Sequence, residues 1–218
     1  PFYLLLGVFT GLVSLYFTKI SMKTESWFED IKNVWFRVFL AGVTLGVLIF
    51  IFPSLYGEGY VSIRSLLAGN VTSLIASSPL YGLQDHAVWF LFYVLLIILF
   101  KAIAMAVTNG AGGVGGVFAP SLFIGAMTGG FFGWCVGALF PELTASPGAY
   151  ALVGMGALVA GTTHAPITAI LIIFELTNDY KIILPLMMSC IISTLLASYL
   201  KKGSIYTIKL MRRTLDIT

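Results

Sequence analysis

The stretch Gly115-Gly116-Val117-Phe118-Ala119-Pro120 decides how this chain is organised. A glycine run at Gly110, Gly112, Gly113, Gly115 and Gly116 ends there, and an apolar segment with helical character begins. Both flanking segments are hydrophobic enough to lie in a membrane. A helix that starts inside a bilayer leaves its first N–H groups without intrahelical acceptors. In hydrocarbon each such group costs several kcal/mol, so a start of this kind is tolerated only beside protein or a watery cavity. Unpaired N–H groups at the positive end of a helix also make a binding site for an anion. The junction therefore points to an anion pathway.

Composition agrees. The chain has 218 residues, of which 59% are hydrophobic and only 10% charged, and its mean hydropathy is +1.00. Soluble domains carry roughly 25% charged residues, so a soluble protein with large buried helices is the weaker reading. The expected class is an all-α integral membrane protein with broken and tilted transmembrane helices. Apolar segments lie near 2–17, 34–54, 87–107, 117–140, 149–175 and 182–200. Several have the roughly 20-residue length of a spanning helix. Others are short or interrupted by Gly and Pro, as in transporters built from discontinuous helices.

The twelve basic residues are unevenly spread. Lys19, Lys23, Lys32 and Arg37 surround the first polar connection, together with Glu25, Glu29 and Asp30. Lys201, Lys202, Lys209, Arg212 and Arg213 follow the last apolar segment. By the positive-inside rule both regions face the cytoplasm. A solvated membrane face accounts for this charge, and no nucleic-acid partner is expected. The predicted organisation is a transmembrane helical domain over 1–200 and a short amphipathic helix on the cytoplasmic side over 201–218.

Small residues four apart recur along the chain: Gly7 and Gly11, Gly42 and Gly46, then Gly129, Gly133 and Gly137. In lipid such stripes permit close approach of helix backbones. A short helix is expected around 61–67, a polar stretch outside the membrane over 71–85, and a spanning segment over 86–107 whose Lys101 snorkels or reaches a cavity. A second break, at Gly161-Thr162-Thr163-His164-Ala165-Pro166, places Pro166 in the first turn of a new helix.

Other chemistries find little support. Gly110-Ala111-Gly112-Gly113-Val114-Gly115 fits the dinucleotide fingerprint GxGxxG but has no strand before it in a βαβ unit, and it lacks the Gly-Lys-Ser/Thr of a P-loop. Cys135 and Cys190 fall in apolar segments and read as small core residues rather than a disulfide or metal pair. His86 and His164 have no partners at ligand spacing. Glu175, near the end of an apolar helix, reads as a helix-end or interface group more readily than as a proton carrier. No metal site, cofactor or catalytic residue is expected, and nothing indicates an enzyme. The chain begins at Pro1, which is expected of a portion of a longer protein.

Three motifs carry a family resemblance. Gly115–Ala126 (GGVFAPSLFIGA), Gly161–Tyr180 (GTTHAPITAILIIFELTNDY) followed by ILPLM, and Gly203–Leu210 (GSIYTIKL) together resemble the CLC family of chloride channels and proton-coupled chloride transporters. They stand in the order and spacing of that family's C-terminal half. The resemblance implies a homodimer with a pathway in each subunit, each subunit built from two inverted helical repeats, of which this chain resembles the second. It implies that the backbone N–H groups of Val117 and Phe118 face the central chloride, that Ala119 lies near an outer site, and that the phenol of Tyr206 reaches the central ion from the inner side. A tyrosine at that place favours chloride over fluoride. The family's chloride-contacting serine, gating glutamate and proton-relaying glutamate belong to the first repeat and match nothing here. The implied partners are chloride, protons, the lipid bilayer, the first repeat of the same protein, and a second subunit contacted through residues 2–17, 167–174 and 182–200. The implied location is a multi-pass protein of the cell's inner membrane with a cytoplasmic tail. The basic tail at Lys209 to Arg213 is further expected to lead into more cytoplasmic chain, such as a regulatory pair of CBS domains.

Two other readings stay open from the residues alone. Broken helices also serve secondary transporters of other folds that carry organic anions, and glycine stripes also serve scaffold subunits that transport nothing.

Overall fold

The computed structural model describes residues 2–69, 78, 87–178 and 180–215. Nine α-helices occur among them and no strand. They are α1 (Phe2–Glu29), α2 (Val34–Ile51), α3 (Tyr60–Leu67), α4 (Ala87–Gly110), α5 (Phe118–Leu139), α6 (Pro147–Thr163), α7 (Pro166–Thr177), α8 (Ile183–Leu200) and α9 (Ile205–Leu215). Five stretches are long and apolar enough to cross a membrane, and the protein is an all-helical integral membrane protein. The short helix expected near residue 61 is present as α3, whereas the stretch expected outside the membrane lies outside the described residues except for Ser78.

At the centre of the bundle, α5 packs along α6, with α1 and α8 against the other side. Close backbone approach makes this possible. A Cβ on Gly125 would lie 2.6 Å from the Gly154 carbonyl oxygen and 2.7 Å from the Met155 Cα. Gly133 is equally confined, 2.9 Å from the Pro147 Cα. The seam therefore runs through Gly125, Gly129 and Gly133, one step earlier than the expected stripe, and Gly137 meets only a Thr144 methyl at 3.8 Å. Gly7 sets α1 against Ser189 and Ile192 of α8 at 3.0 Å, as the spacing predicts. Gly42 and Gly46 of α2 have no neighbour within 4 Å.

The first helix is longer than the sequence reading allows. Where an apolar segment over 2–17 followed by a polar connection was expected, α1 continues to Glu29. Nothing between residues 18 and 29 is Gly or Pro. The polar residues also fall on one face: Thr10, Ser14, Thr18, Ser21 and Glu25 are all buried. Their spacing of three and four is helical, and several hydroxyls return a hydrogen bond to their own helix, as Thr10 does to the Leu6 carbonyl at 2.9 Å.

Helix ends explain how the breaks are made. Asn33 caps α2, its side chain accepting from the N–H groups of Trp35 and Phe36 at 3.1 and 3.3 Å. Ser146 caps α6 through the Ala149 N–H, with Pro147 in the first turn. At the α6–α7 break His164 adopts the left-handed conformation (φ 57°), and Ala165, just before Pro166, is outside the helical region (φ −128°, ψ 71°). Lys101 fixes the turn between α2 and α3. It lies buried on α4, and its ammonium donates to the carbonyls of Leu55 and Gly57 at 2.9 and 2.8 Å while sitting 4.8 Å from the Phe123 ring centre. It does not snorkel. Both cysteines are free, with Cys190 fully buried.

Candidate functional site

The start of α5 is built differently from the capped helix starts. Gly112, in the left-handed region (φ 100°), ends α4. The glycine loop then turns back, with the Gly113 N–H donating to the Thr108 carbonyl at 2.9 Å. Gly115 lies close to Asn109, and a Cβ there would come within 2.6 Å of Asn109 Oδ1. Val117 is the cap residue of α5 and no side chain caps it. Its carbonyl accepts from the Ser121 N–H at 3.1 Å. Pro120, third in the helix, has no N–H to satisfy. Three donors remain, the N–H groups of Val117, Phe118 and Ala119, and among the described residues none of them meets an acceptor.

Val117 is only 6% exposed and the half-buried Phe118 packs against the main hydrophobic cluster, while the loop residues Gly112 to Gly116 that lead to them are exposed. α7 also starts without a side-chain cap, but its first free residue, Ile167, is 73% exposed. Unpaired donors at a buried helix start, with the positive end of the dipole behind them, suit an anion. A bare anion placed in a medium of low dielectric loses tens of kcal/mol of solvation by an idealised estimate. Several partial charges must share that loss. Each hydrogen bond to a charged group returns roughly 1.5–3 kcal/mol.

Tyr206 stands in the first turn of α9. Ser204 organises that turn by accepting from the Thr207 N–H at 3.2 Å, and Ile205 is fully buried. Tyr206 itself is half-exposed, and its phenol has no hydrogen-bond partner among the described residues. His164 lies apart from both features, 3.4 Å from the Ser198 hydroxyl. His86 lies outside the described residues. Glu175 is exposed near the end of α7.

A polar bridge between the two features is absent from the sequence reading. Glu25 Oε1, on α1, accepts from Lys209 Nζ of α9 at 2.7 Å and from Asn109 Nδ2 of α4 at 3.3 Å. Asn109 in turn lies against the glycine loop at Gly115. α9 is thus joined through Lys209, Glu25 and Asn109 to the loop that delivers Val117. The buried face Thr10, Ser14, Thr18, Ser21, Glu25 is the signal that places Glu25 inside the protein.

An all-helical membrane bundle whose central helix starts uncapped among buried residues defines the class of membrane proteins built from broken helices. Comparison with known proteins narrows it. The sequence profile of the "Voltage gated chloride channel" family matches residues 1–198, and the chain belongs to that family, the CLC proteins. It is 38% identical over 180 residues to a ClcB-like protein of Ralstonia nicotianae, covering 83% of this chain and 38% of that one. It is 34% identical over 218 residues to the H(+)/Cl(-) exchange transporter ClcA of Vibrio parahaemolyticus, covering 98% of this chain and 43% of that one. Among solved structures, a slow cyanobacterial Cl-/H+ antiporter superposes with a TM-score of 0.76 at 31% identity, covering 98% of this chain and 46% of that one. A eukaryotic CLC transporter shares the fold, with a TM-score of 0.74 at 24% identity over 97% of this chain and 35% of that one. The chain therefore spans less than half the length of the relatives it matches.

Proposed function

We propose that this chain is the second inverted repeat of a CLC-type protein that moves chloride across a membrane. The main-chain N–H groups of Val117 and Phe118 hold the ion, Ala119 lies toward an outer site, and the Tyr206 phenol donates from the inner side. The observation that carries this reading is the set of donors at Val117, Phe118 and Ala119 without acceptors among the described residues, at a helix start inside the bundle. Neutral dipoles suit transport better than a lysine or arginine clamp, because the ion must also leave. Tyr206 adds a hydroxyl donor.

Two of the matched relatives are named as an exchanger or antiporter of chloride and protons and one as a chloride channel protein, so proton countertransport is the mode to test first. We assign the exposed apolar faces of α7 and α8, where Ile167, Leu171, Leu184 and Leu195 are each at least 60% exposed, to a second subunit. The exposed Leu5 and Leu12 of α1 extend the surface open to the same role. The basic residues after α8 support a reading in which the tail faces the cytoplasm.

The test is chloride flux from liposomes holding the full-length protein, paired with anomalous scattering from bromide-soaked crystals. Flux above empty vesicles and bromide density against the Val117 and Phe118 amides are expected. Tyr206→Ala should weaken chloride binding, measured by calorimetry, at least roughly tenfold. Equal binding in that variant, or bromide density elsewhere, would remove the assignment.

A further inference from the structure

We infer that Glu25 and Lys209 are positioning residues for the anion site: their ion pair, extended by Asn109, sets where Tyr206 stands relative to the α5 amides. The inference rests on the reading of Val117, Phe118 and Tyr206 as ion ligands, and adds residues that touch no ion themselves.

Geometry carries it. One carboxylate oxygen of Glu25 receives both the Lys209 ammonium at 2.7 Å and the Asn109 amide at 3.3 Å. The Glu25 side chain is 8% exposed, so it is held rather than free to follow solvent. Its backbone is fixed as well. A Cβ on Gly110 would lie 3.1 Å from the Glu25 Cα and 2.7 Å from the Phe28 Cβ, so α1 presses directly on the last residue of α4. That contact locates the carboxylate at the root of the glycine loop. Asn109 also reaches the loop itself, since a Cβ on Gly115 would lie 2.6 Å from its Oδ1. Two residues after Gly115 comes Val117.

On the other side Lys209 follows Tyr206 by three residues on one helix, and residues at that spacing lie on neighbouring faces. Tyr206 and Lys209 lie on one helix, α9, so a shift of its backbone at Lys209 carries to Tyr206. The Lys209 side chain is 27% exposed. An ion pair open to water on one side is weaker than a buried one, which leaves α9 able to yield when an ion passes.

A purely stabilising strap and a positioning bridge differ in what they change. A strap lowers melting temperature and leaves affinity alone. A bridge changes chloride affinity through Tyr206 and through nothing else. The experiment is calorimetric chloride titration of the full-length protein, with melting temperature recorded in parallel, for Lys209→Met, Lys209→Arg, Tyr206→Ala and the Lys209→Met/Tyr206→Ala pair. Lys209→Met should weaken chloride binding about tenfold, Lys209→Arg should restore it to within about twofold, and Lys209→Met should add less than about twofold once Tyr206 is gone. If Lys209→Met fails to fold, Glu25→Gln keeps the shape and the acceptor for Asn109 while removing the charge, and carries the same expectation. Unchanged affinity in Lys209→Met beside a weakened Tyr206→Ala overturns the bridge alone, as does a Lys209→Met effect fully additive with Tyr206→Ala. Unchanged affinity in Tyr206→Ala overturns the ion-site reading on which the bridge stands.

Discussion

Two glycine pairs in this chain look the same as sequence and behave oppositely in the fold. Gly125 and Gly129 of α5 have α6 pressed against them, with the Gly154 carbonyl 2.6 Å from a Cβ built on Gly125. Gly42 and Gly46 of α2 have the same spacing and no atom within 4 Å. The difference lies in the company each pair keeps. α5 is buried on nearly every side, from Ser121 through Gly130, so its glycines are needed where backbone meets backbone. α2 buries only Ala41, and shows Trp35, Phe39 and Phe50 at 86%, 69% and 72% exposure. In lipid, apolar side chains have no drive to leave the surface, and small residues grant the capacity for close packing without requiring it. Small-residue spacing therefore marks where a helix pair can form, and its partner decides whether it does.

The sharpest way to break this contrast is Gly129→Val. The added atoms would collide with the Tyr150 carbonyl and the Ala151 Cα, both backbone. The facing position gives no relief, because a Cβ on Gly154 would itself lie 2.8 Å from the Gly129 Cα. A loss of at least about 3 kcal/mol is expected, read as a collapse of the melting temperature or of monodisperse protein in detergent. A Gly129→Val variant as stable as the parent would mean that α5 and α6 do not meet in the way described.

A smaller loss is expected at the turn that joins α2 to α3. That turn is held by Lys101, which donates to the Leu55 and Gly57 carbonyls. Lys101→Met removes both hydrogen bonds and the contact with the Phe123 ring. Leaving a buried acceptor unpaired costs about 1–3 kcal/mol, but removal of a buried ammonium also relieves its own desolvation. The net loss should be about 2 kcal/mol, seen in thermal unfolding. Limited proteolysis should then cut first around the Gly57–Gly59 turn rather than in the α5–α6 seam. Equal stability would show that the turn between α2 and α3 needs no such anchor.

These cases also show which parts of the molecule were legible as sequence. The uncapped start of α5 was, because a glycine run followed by Val-Phe-Ala-Pro admits few other structures between two apolar segments. The α6–α7 break was legible for the same reason, with Pro166 as its marker. α1 was misjudged because Lys19 and Lys23 read as the end of a span, while the buried face Ser14, Thr18, Ser21, Glu25 continues the helix through them. Glu25 was therefore grouped with solvated charges, and its bond to Lys209 joins residues 184 positions apart. No local pattern reports a contact of that range. The fate of Gly42 and Gly46 was illegible for a further reason. Their environment is set by what surrounds α2, and an apolar helix carries no record of whether its neighbour is lipid or protein.

Gly42→Ala gives the smallest and most discriminating effect. A methyl group at Gly42 meets nothing within 4 Å, and alanine is the better helix former by up to about 1 kcal/mol in water. Part of that preference is lost in a bilayer, where the backbone is already committed to internal hydrogen bonding. The expected change in stability is therefore within about 0.5 kcal/mol, measured by thermal unfolding of the full-length protein. A loss well beyond this would mean that another protein surface closes against α2 at Gly42, and that this pair is a seam like that of α5 with its partner outside the described helices. Gly42 is thus the position where open lipid face and hidden interface predict different numbers.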